Sequence, residues 1–487
     1  MDRALTETTI IIIGAGFAGI CMAIQLKKAG IDDFVILEVA PKVGGVWRDN
    51  TYPGCACDVP SHLYSFSFER NPEWSRKYSP QPEILEYIEH CTDAYGLGPY
   101  LRFGVEITQA VYDETNARWQ LLTADGRRFR CRFLIAGIGA LRVPAIPTIK
   151  GAQDFTGAAF HSSRWDHNFD LRGKRVAVVG TGASSIQLVP AIADKVEKLY
   201  LFQRTAPWIL PRPDRRFHSA ERSLFRRIPG VERIYRELIY WRQESAAIAF
   251  IRFPGILRLA ERLARKHIRQ TIADPDLRRK VTPSYAIGCK RILLSNNYYP
   301  ALTRDNVEVL TQGLAEFRSE SVITDDGREI GIDAVIYGTG FALKDLLAPM
   351  KVIGKGGQDL AERWRATPEA YLGVTVSDFP NFFILTGPNT GLGHSSMIFM
   401  IECHVHYVLR CIRHVLKHDL KAIEVRPEAM QRFNQRLREK LKHTVWSTGC
   451  KSWYLDDKGH NFTLWPGHTW SFWLQTRRLR RRDYSFR

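Results

Sequence analysis

The chain has 487 residues, 45% hydrophobic and 25% charged, an ordinary globular composition with material for two or three domains and a large core. Its net charge is +18, from 69 Lys and Arg against 51 Asp and Glu, which favours anionic partners such as a phosphate-rich cofactor or an acidic lipid surface. No zinc finger, RNP motif or basic zipper accompanies that charge, so nucleic acid is excluded as the partner.

Nine scattered cysteines, odd in number, read as a reducing cytoplasm; no pair has zinc-site spacing, so no metal is expected. The N-terminus shows no secretory signal, only an acid, a base and an apolar run. Ile10 to Leu26 is apolar enough to suggest a membrane span, but Gly14, Gly16 and Gly19 split it into a strand and a helix. The strand Ile10 to Ile13 leads into Gly14-x-Gly16-x-x-Gly19, and a helix follows to about Lys28, ended by Gly30. Such a turn brings backbone N–H groups to a pyrophosphate at a helix N-terminus. The next strand, FVILE, closes on Glu38, 19 residues after Gly19. A carboxylate there accepts hydrogen bonds from ribose hydroxyls and repels a 2′-phosphate, which fits the adenosine end of FAD or NAD. Cys55 and Cys57 are one residue apart, too close for an unstrained disulfide. FLIAGIGALRVPAIP, residues 133 to 147, reads as a later strand followed by a Pro-rich linker.

The pattern then repeats about 166 residues on. A strand at Arg175 to Val179 runs into Gly180-x-Gly182-x-x-Ser185, a helix and the strand LYLFQ. This unit ends in Gln203-Arg204-Thr205, with no acid; a guanidinium and a hydroxyl suit a 2′-phosphate, so NADP is favoured here. Two unlike nucleotide sites imply electron transfer, most simply from NADPH to FAD. From about 217 to 283 the chain reads as two or three amphipathic helices rich in Arg, Leu and Ile, an insert that would roof a substrate site. DAVIYGTGF, residues 333 to 341, is a late strand of the second unit. His404 and His406, two apart, are ordinary helix residues, and TRRLRRRD from Thr476 is a solvated basic tail or a membrane-surface contact. The expected fold is α/β, with two Rossmann-like dinucleotide-binding domains, for FAD and NADP. The FAD domain takes 1–145 and 343–487, and the NADP domain 146–342 with a helical insert at about 215–283.

Phe155-x-Gly157-x-x-x-His161-x-x-x-Trp165-Asp166 resembles the FxGxxxHxxxW(P/D) fingerprint of the Baeyer–Villiger monooxygenases, class B flavoproteins related to the flavin-containing monooxygenases. Gly45-x-Trp47-x-x-x-x-Tyr52-Pro53-Gly54-x-x-x-Asp58 resembles a second signature of that family, and the resemblance extends over nearly the whole chain. Departures are modest: the second turn ends in Ser185 rather than Gly, and the linker reads Leu141-Arg142.

The resemblance implies FAD on the first unit and NADPH on the second. Reduced flavin and dioxygen would give a flavin peroxide, whose anion converts an apolar ketone to an ester or lactone. It places the catalytic arginine at Arg291, a 2′-phosphate contact at Lys290 and the aspartate beside the arginine at Asp58. A fixed guanidinium suits a concentrated anionic charge, and a neighbouring carboxylate would hold it. Without the resemblance, Arg291 reads as a phosphate contact and Asp58 as a helix cap. Trp453 falls where the family has a tryptophan that reaches the nicotinamide; Trp47 and Tyr52 would wall the flavin; the segment from Phe155 to Asp166 would couple the two domains. Three rival readings are N- or S-oxygenation, a disulfide reductase using Cys55 and Cys57, and a non-catalytic NADP-binding flavoprotein at a membrane surface. The expected location is cytoplasmic, with weak contact to an anionic membrane surface.

Overall fold

A computed structural model describes residues 5–450 and 452–487. The β-branched run of β1 (Thr6–Ile13) is buried along Ile10–Ile13, as suits a central parallel strand covered on both faces. α1 (Phe17–Lys28) returns the chain to β2 (Phe34–Leu37), which pairs parallel with β1. On its other side β1 pairs parallel with Arg128–Ala136, the last strand of an antiparallel meander through Ile107–Asp113 and Arg118–Thr123. Two strands from beyond the second unit, Lys351–Ile353 and Phe382–Ile384, complete this sheet. The first unit is therefore closed by chain that follows the second.

The second sheet contains β3 (Ala158–His161) and β4 (Arg175–Val179), and α2 (Ser185–Ile192) leads from β4 to β5 (Lys198–Phe202). The helical segment follows, with α3 (Pro229–Ile251) and α4 (Leu257–Thr271) flanked by the shorter helices Ser219–Arg227 and Pro275–Val281. A parallel pair, Ile209–Leu210 with Leu293–Leu294, closes its base. β6 (Ala334–Tyr337) then enters between β4 and β3. The strand order is Val307–Leu310, β5, β4, β6, β3, all parallel. α5 (Met397–Lys417) packs along α1 and seats α6 (Thr469–Thr476).

Two expectations are corrected. The basic stretch after Thr476 is not a free tail: Arg477, Arg478 and Arg480 are exposed, but Tyr484–Phe486 forms a strand on Ile423–Val425, because Tyr484 is buried there. The cysteines are not all single thiols. Cys289 and Cys450, 161 residues apart, form a disulfide, while the other seven are free and buried. Among the described residues no helix is long and apolar enough to cross a membrane.

Candidate active site

The first glycine turn is shaped by close backbone approach. Gly14 has φ +99°, and a Cβ there would lie 2.7 Å from the Gly137 carbonyl oxygen. A Cβ on Gly19 would lie 1.8 Å from the Gly14 oxygen, so α1 can sit this close to β1 only with glycine. Gly16 precedes α1, and a Cβ there would meet nothing nearer than the Gly45 Cα at 3.5 Å. These glycines leave backbone N–H groups open at the start of α1, a cradle that fits the FAD pyrophosphate. Glu38, directly after β2, is buried and accepts hydrogen bonds from the N–H groups of Ala15 at 2.8 Å and Ala40 at 2.9 Å. Arg48, which the sequence did not single out, stands 3.2 Å from the same carboxylate. Trp47 is buried and donates from its indole to the Tyr64 hydroxyl at 3.1 Å. The Tyr52 hydroxyl donates to Gln187 Oε1 at 2.9 Å, so the 45–58 segment is fastened to α2 of the other sheet.

The second turn repeats the geometry. Gly180 has φ +105°, and a Cβ there would lie 2.5 Å from the Gly338 carbonyl oxygen. A Cβ on Gly182 would meet nothing nearer than the Gly338 oxygen at 3.9 Å. Ser185 is fully buried, and its Oγ packs so tightly on Gly338 that a Cβ there would lie 2.0 Å away. The third position therefore tolerates Ser because the neighbouring strand end is glycine. Arg204 is exposed, and Thr205 takes a hydrogen bond on its carbonyl from the Thr181 hydroxyl at 2.9 Å. Lys290 lies over the Tyr285 ring at 4.8 Å. Burial and then the Arg204 charge hold its pKa below the usual lysine value. Two mutually repelling cations beside the second turn fit the NADP 2′-phosphate.

Arg291, which follows the helical segment of the second unit, meets Asp58 of the first unit. Arg291 Nε donates to Asp58 Oδ2 at 2.8 Å, Nη2 stands 2.7 Å from that oxygen, and Nη1 donates to the Leu392 carbonyl at 3.3 Å. The Asp58 charge pushes the arginine pKa up, against the opposing effect of burial. Side-chain exposures of 30% and 28% leave the pair accessible. Tyr454, missed by the sequence reading, lies against Arg291, and burial pushes its phenol up to about 12. Trp453 is 51% exposed and packs on Tyr454 with ring centres 4.5 Å apart. The loop that carries it is tied by Cys450 to Cys289, the residue before Lys290.

The fingerprint residues lie around the edge strand β3. A Cβ on Gly157 would lie 2.4 Å from the Phe155 ring and 2.5 Å from the Asp333 carbonyl oxygen. Phe155 in turn packs on Phe317 with ring centres 5.3 Å apart. His161 ends β3, accepts the Ser163 N–H at 3.1 Å and packs edge-on against Phe341 at 5.4 Å. Trp165 packs edge-on to Phe160, and Asp166 accepts the Asn168 N–H at 2.9 Å. None of these contacts involves the Arg291–Asp58 pair, and only His161 reaches Phe341. Cys55 and Cys57 are unbonded and buried, which pushes the Cys55 thiol up to about 11 and the Cys57 thiol higher still. Protonated, enclosed thiols suit packing and not disulfide exchange.

Residues 11–219 match the family described as pyridine nucleotide-disulphide oxidoreductase. A Baeyer–Villiger monooxygenase from Pseudomonas aeruginosa is 48% identical over 478 residues, 98% of this chain and 91% of that protein. The structure of an oxidised steroid monooxygenase bound to NADP matches with a TM-score of 0.88 at 30% identity, covering 99% of each chain. That of OTEMO in complex with FAD and NADP matches with a TM-score of 0.89 at 26% identity, covering 100% of both. The chain belongs to the Baeyer–Villiger monooxygenases and is an FAD-dependent, NADPH-using enzyme.

Proposed function

We propose that the enzyme converts an apolar ketone to an ester or lactone, and that Arg291 and Asp58 carry the oxygenation. The balance is ketone + O2 + NADPH + H+ giving ester + NADP+ + H2O. Bound FAD supplies the redox centre that takes hydride from NADPH and activates dioxygen. The chain's own part is electrostatic and positional. The observation that carries the reading is a half-buried guanidinium held by one carboxylate oxygen, with Asp58 coming from the first unit and Arg291 from the second. Asp58 keeps Arg291 charged and oriented, while Nη1 and Nη2 each retain an N–H for an anion. Those donors would meet the negative charge that develops on the reacting oxygens, with no reorganisation at that moment. Lys290 and Arg204 would hold the 2′-phosphate, and Trp453 would pack on the nicotinamide. His161, Trp165 and their neighbours would transmit domain movement. An apolar roof over the site is supported by one buried cluster in which Phe250 and Leu257 of the insert pack with Ile287, Leu392 and Tyr454. The monooxygenases that share this fold are named for a steroid and for cyclohexanone, both largely apolar molecules, which agrees with such a roof.

The test is Arg291→Ala. Ester formation should fall about 100- to 1000-fold while NADPH still reduces the flavin and oxygen leaves as hydrogen peroxide. Unchanged ester formation would remove Arg291 from the chemistry.

A further inference from the structure

Helix α3 buries three charged residues among its apolar ones and exposes a row of large apolar side chains. Glu232, Arg236 and Glu244 face inward and are buried. Each has a partner: Glu232 stands 3.3 Å from His62 Nδ1, Arg236 donates to the His62 carbonyl and Ser65 Oγ, and Glu244 accepts from Thr469. The opposite face carries Ile234, Leu238, Trp241 and Ile248, spaced four, three and seven apart, which is one stripe along a helix. Ile234 and Leu238 are 62% and 65% exposed. The stripe continues past the helix through Phe253 and Ile256 into Leu259 and Leu263 of α4, all exposed. α6, held to α3 through Thr469 and Glu244, adds exposed Trp470, Trp473 and Leu474.

Single exposed apolar residues are normal; a run of this length on consecutive elements marks an interaction surface. Its charge selects the partner. Arg233, Arg242, Arg252, Arg258, Arg262 and Lys266 are exposed along α3 and α4, whereas Glu237 is the only exposed acid between 229 and 271. A second copy of this chain would set these cations against their own kind across a two-fold axis. Tryptophan and aliphatic side chains interleaved with arginine suit the boundary between acyl chains and anionic headgroups. The net charge of +18 adds long-range attraction to the same surface.

The inner faces of these helices lie over the site. A Cβ on Gly288, three residues before Arg291, would lie 2.8 Å from Leu257. We propose that the outer face of α3, α4 and α6 seats on an anionic lipid bilayer, with the roof of the site turned toward the membrane. This goes beyond the oxygenation reading and stands apart from it, because its readout is binding and not turnover.

The test is flotation of the FAD-loaded full-length enzyme with vesicles of phosphatidylcholine alone or with 30% phosphatidylglycerol, at low and high salt. The wild type should float with the anionic vesicles at low salt, and much less with neutral vesicles or at high salt. The variant Ile234→Ser/Leu238→Ser/Trp241→Ser should partition at least about tenfold more weakly, as expected for losing three apolar anchors. Its NADPH oxidation rate should be unchanged. A separate Arg242→Gln/Arg258→Gln/Arg262→Gln variant should lose the preference for anionic lipid. Failure of the wild type to float, or equal flotation of the apolar variant, would overturn the proposal. So would a stable dimer in sedimentation that the apolar variant dissociates, since the occupant would then be a second copy.

Discussion

At the scale of single residues, the site depends on charges held without slack. Arg204 and Lys290 repel each other, and that repulsion has a use only if an anion sits between them. Arg204→Ala should raise the KM for NADPH about 10- to 100-fold and leave that for NADH nearly unchanged, as expected for losing a charge-assisted hydrogen bond; steady-state kinetics with both cofactors check this. A second prediction concerns His404, whose Nδ1 accepts from the Thr386 N–H at 2.9 Å and whose Nε2 lies 3.1 Å from the Leu372 carbonyl. Burial pushes its pKa down to about 3. Below the ordinary histidine value near 6.5 the unfolded chain takes up a proton that the folded one refuses. Stability is thus intact above that value and falls by about 1.4 kcal/mol per pH unit as the medium is acidified toward 3. Chemical denaturation of His404→Gln and wild type between pH 4 and 7 should show a flatter profile in the variant. The glycines belong to this scale as well. Gly157→Ala would drive a methyl into Phe155 and the Asp333 carbonyl and should cost about 1–3 kcal/mol, read as a lower Tm.

At the scale of elements, the sequence is legible where local chemistry dictates local shape. Gly14, Gly19 and Gly180 announce their turns because nothing larger fits, and β1, β2, β4 and β5 follow from buried aliphatic runs beside them. The helical character of the insert is legible too. Which face of α3 points inward is not, because apolar residues lie on both faces: Ile239, Tyr240, Ala247 and Phe250 are buried beside three charges, Glu232, Arg236 and Glu244, that His62, Ser65 and Thr469 from distant chain satisfy. The Cys289–Cys450 link is hidden for a similar reason, since 161 residues separate partners that only the fold brings together. Thiol titration of the denatured protein should find seven reactive cysteines before reduction and nine after it. Nine before reduction would mean that the loop bearing Trp453 is held by packing alone.

At the scale of the whole molecule, one loop links a mixed sheet to an all-parallel one. The 45–58 segment leaves the first sheet, fastens to α2 through Tyr52 and Gln187, and delivers Asp58 to Arg291 from the far side of the helical insert. The doubling of the βαβ unit was readable from glycine spacing, and the meeting of Asp58 with Arg291 only through the family resemblance. No local pattern could reveal that contact, because the partners are 233 positions apart in the chain. The role of Tyr454 escaped even the resemblance, although it adjoins Trp453.

The central claim is that the molecule couples NADPH oxidation to insertion of one oxygen atom beside a ketone carbonyl. The direct measurement is turnover of the FAD-loaded enzyme with NADPH, 18O2 and a panel of apolar ketones, with products read by mass spectrometry. One labelled oxygen in an ester or lactone, formed in proportion to NADPH consumed, is the expected result. NADPH consumed with every ketone left intact and all labelled oxygen recovered as hydrogen peroxide would contradict it.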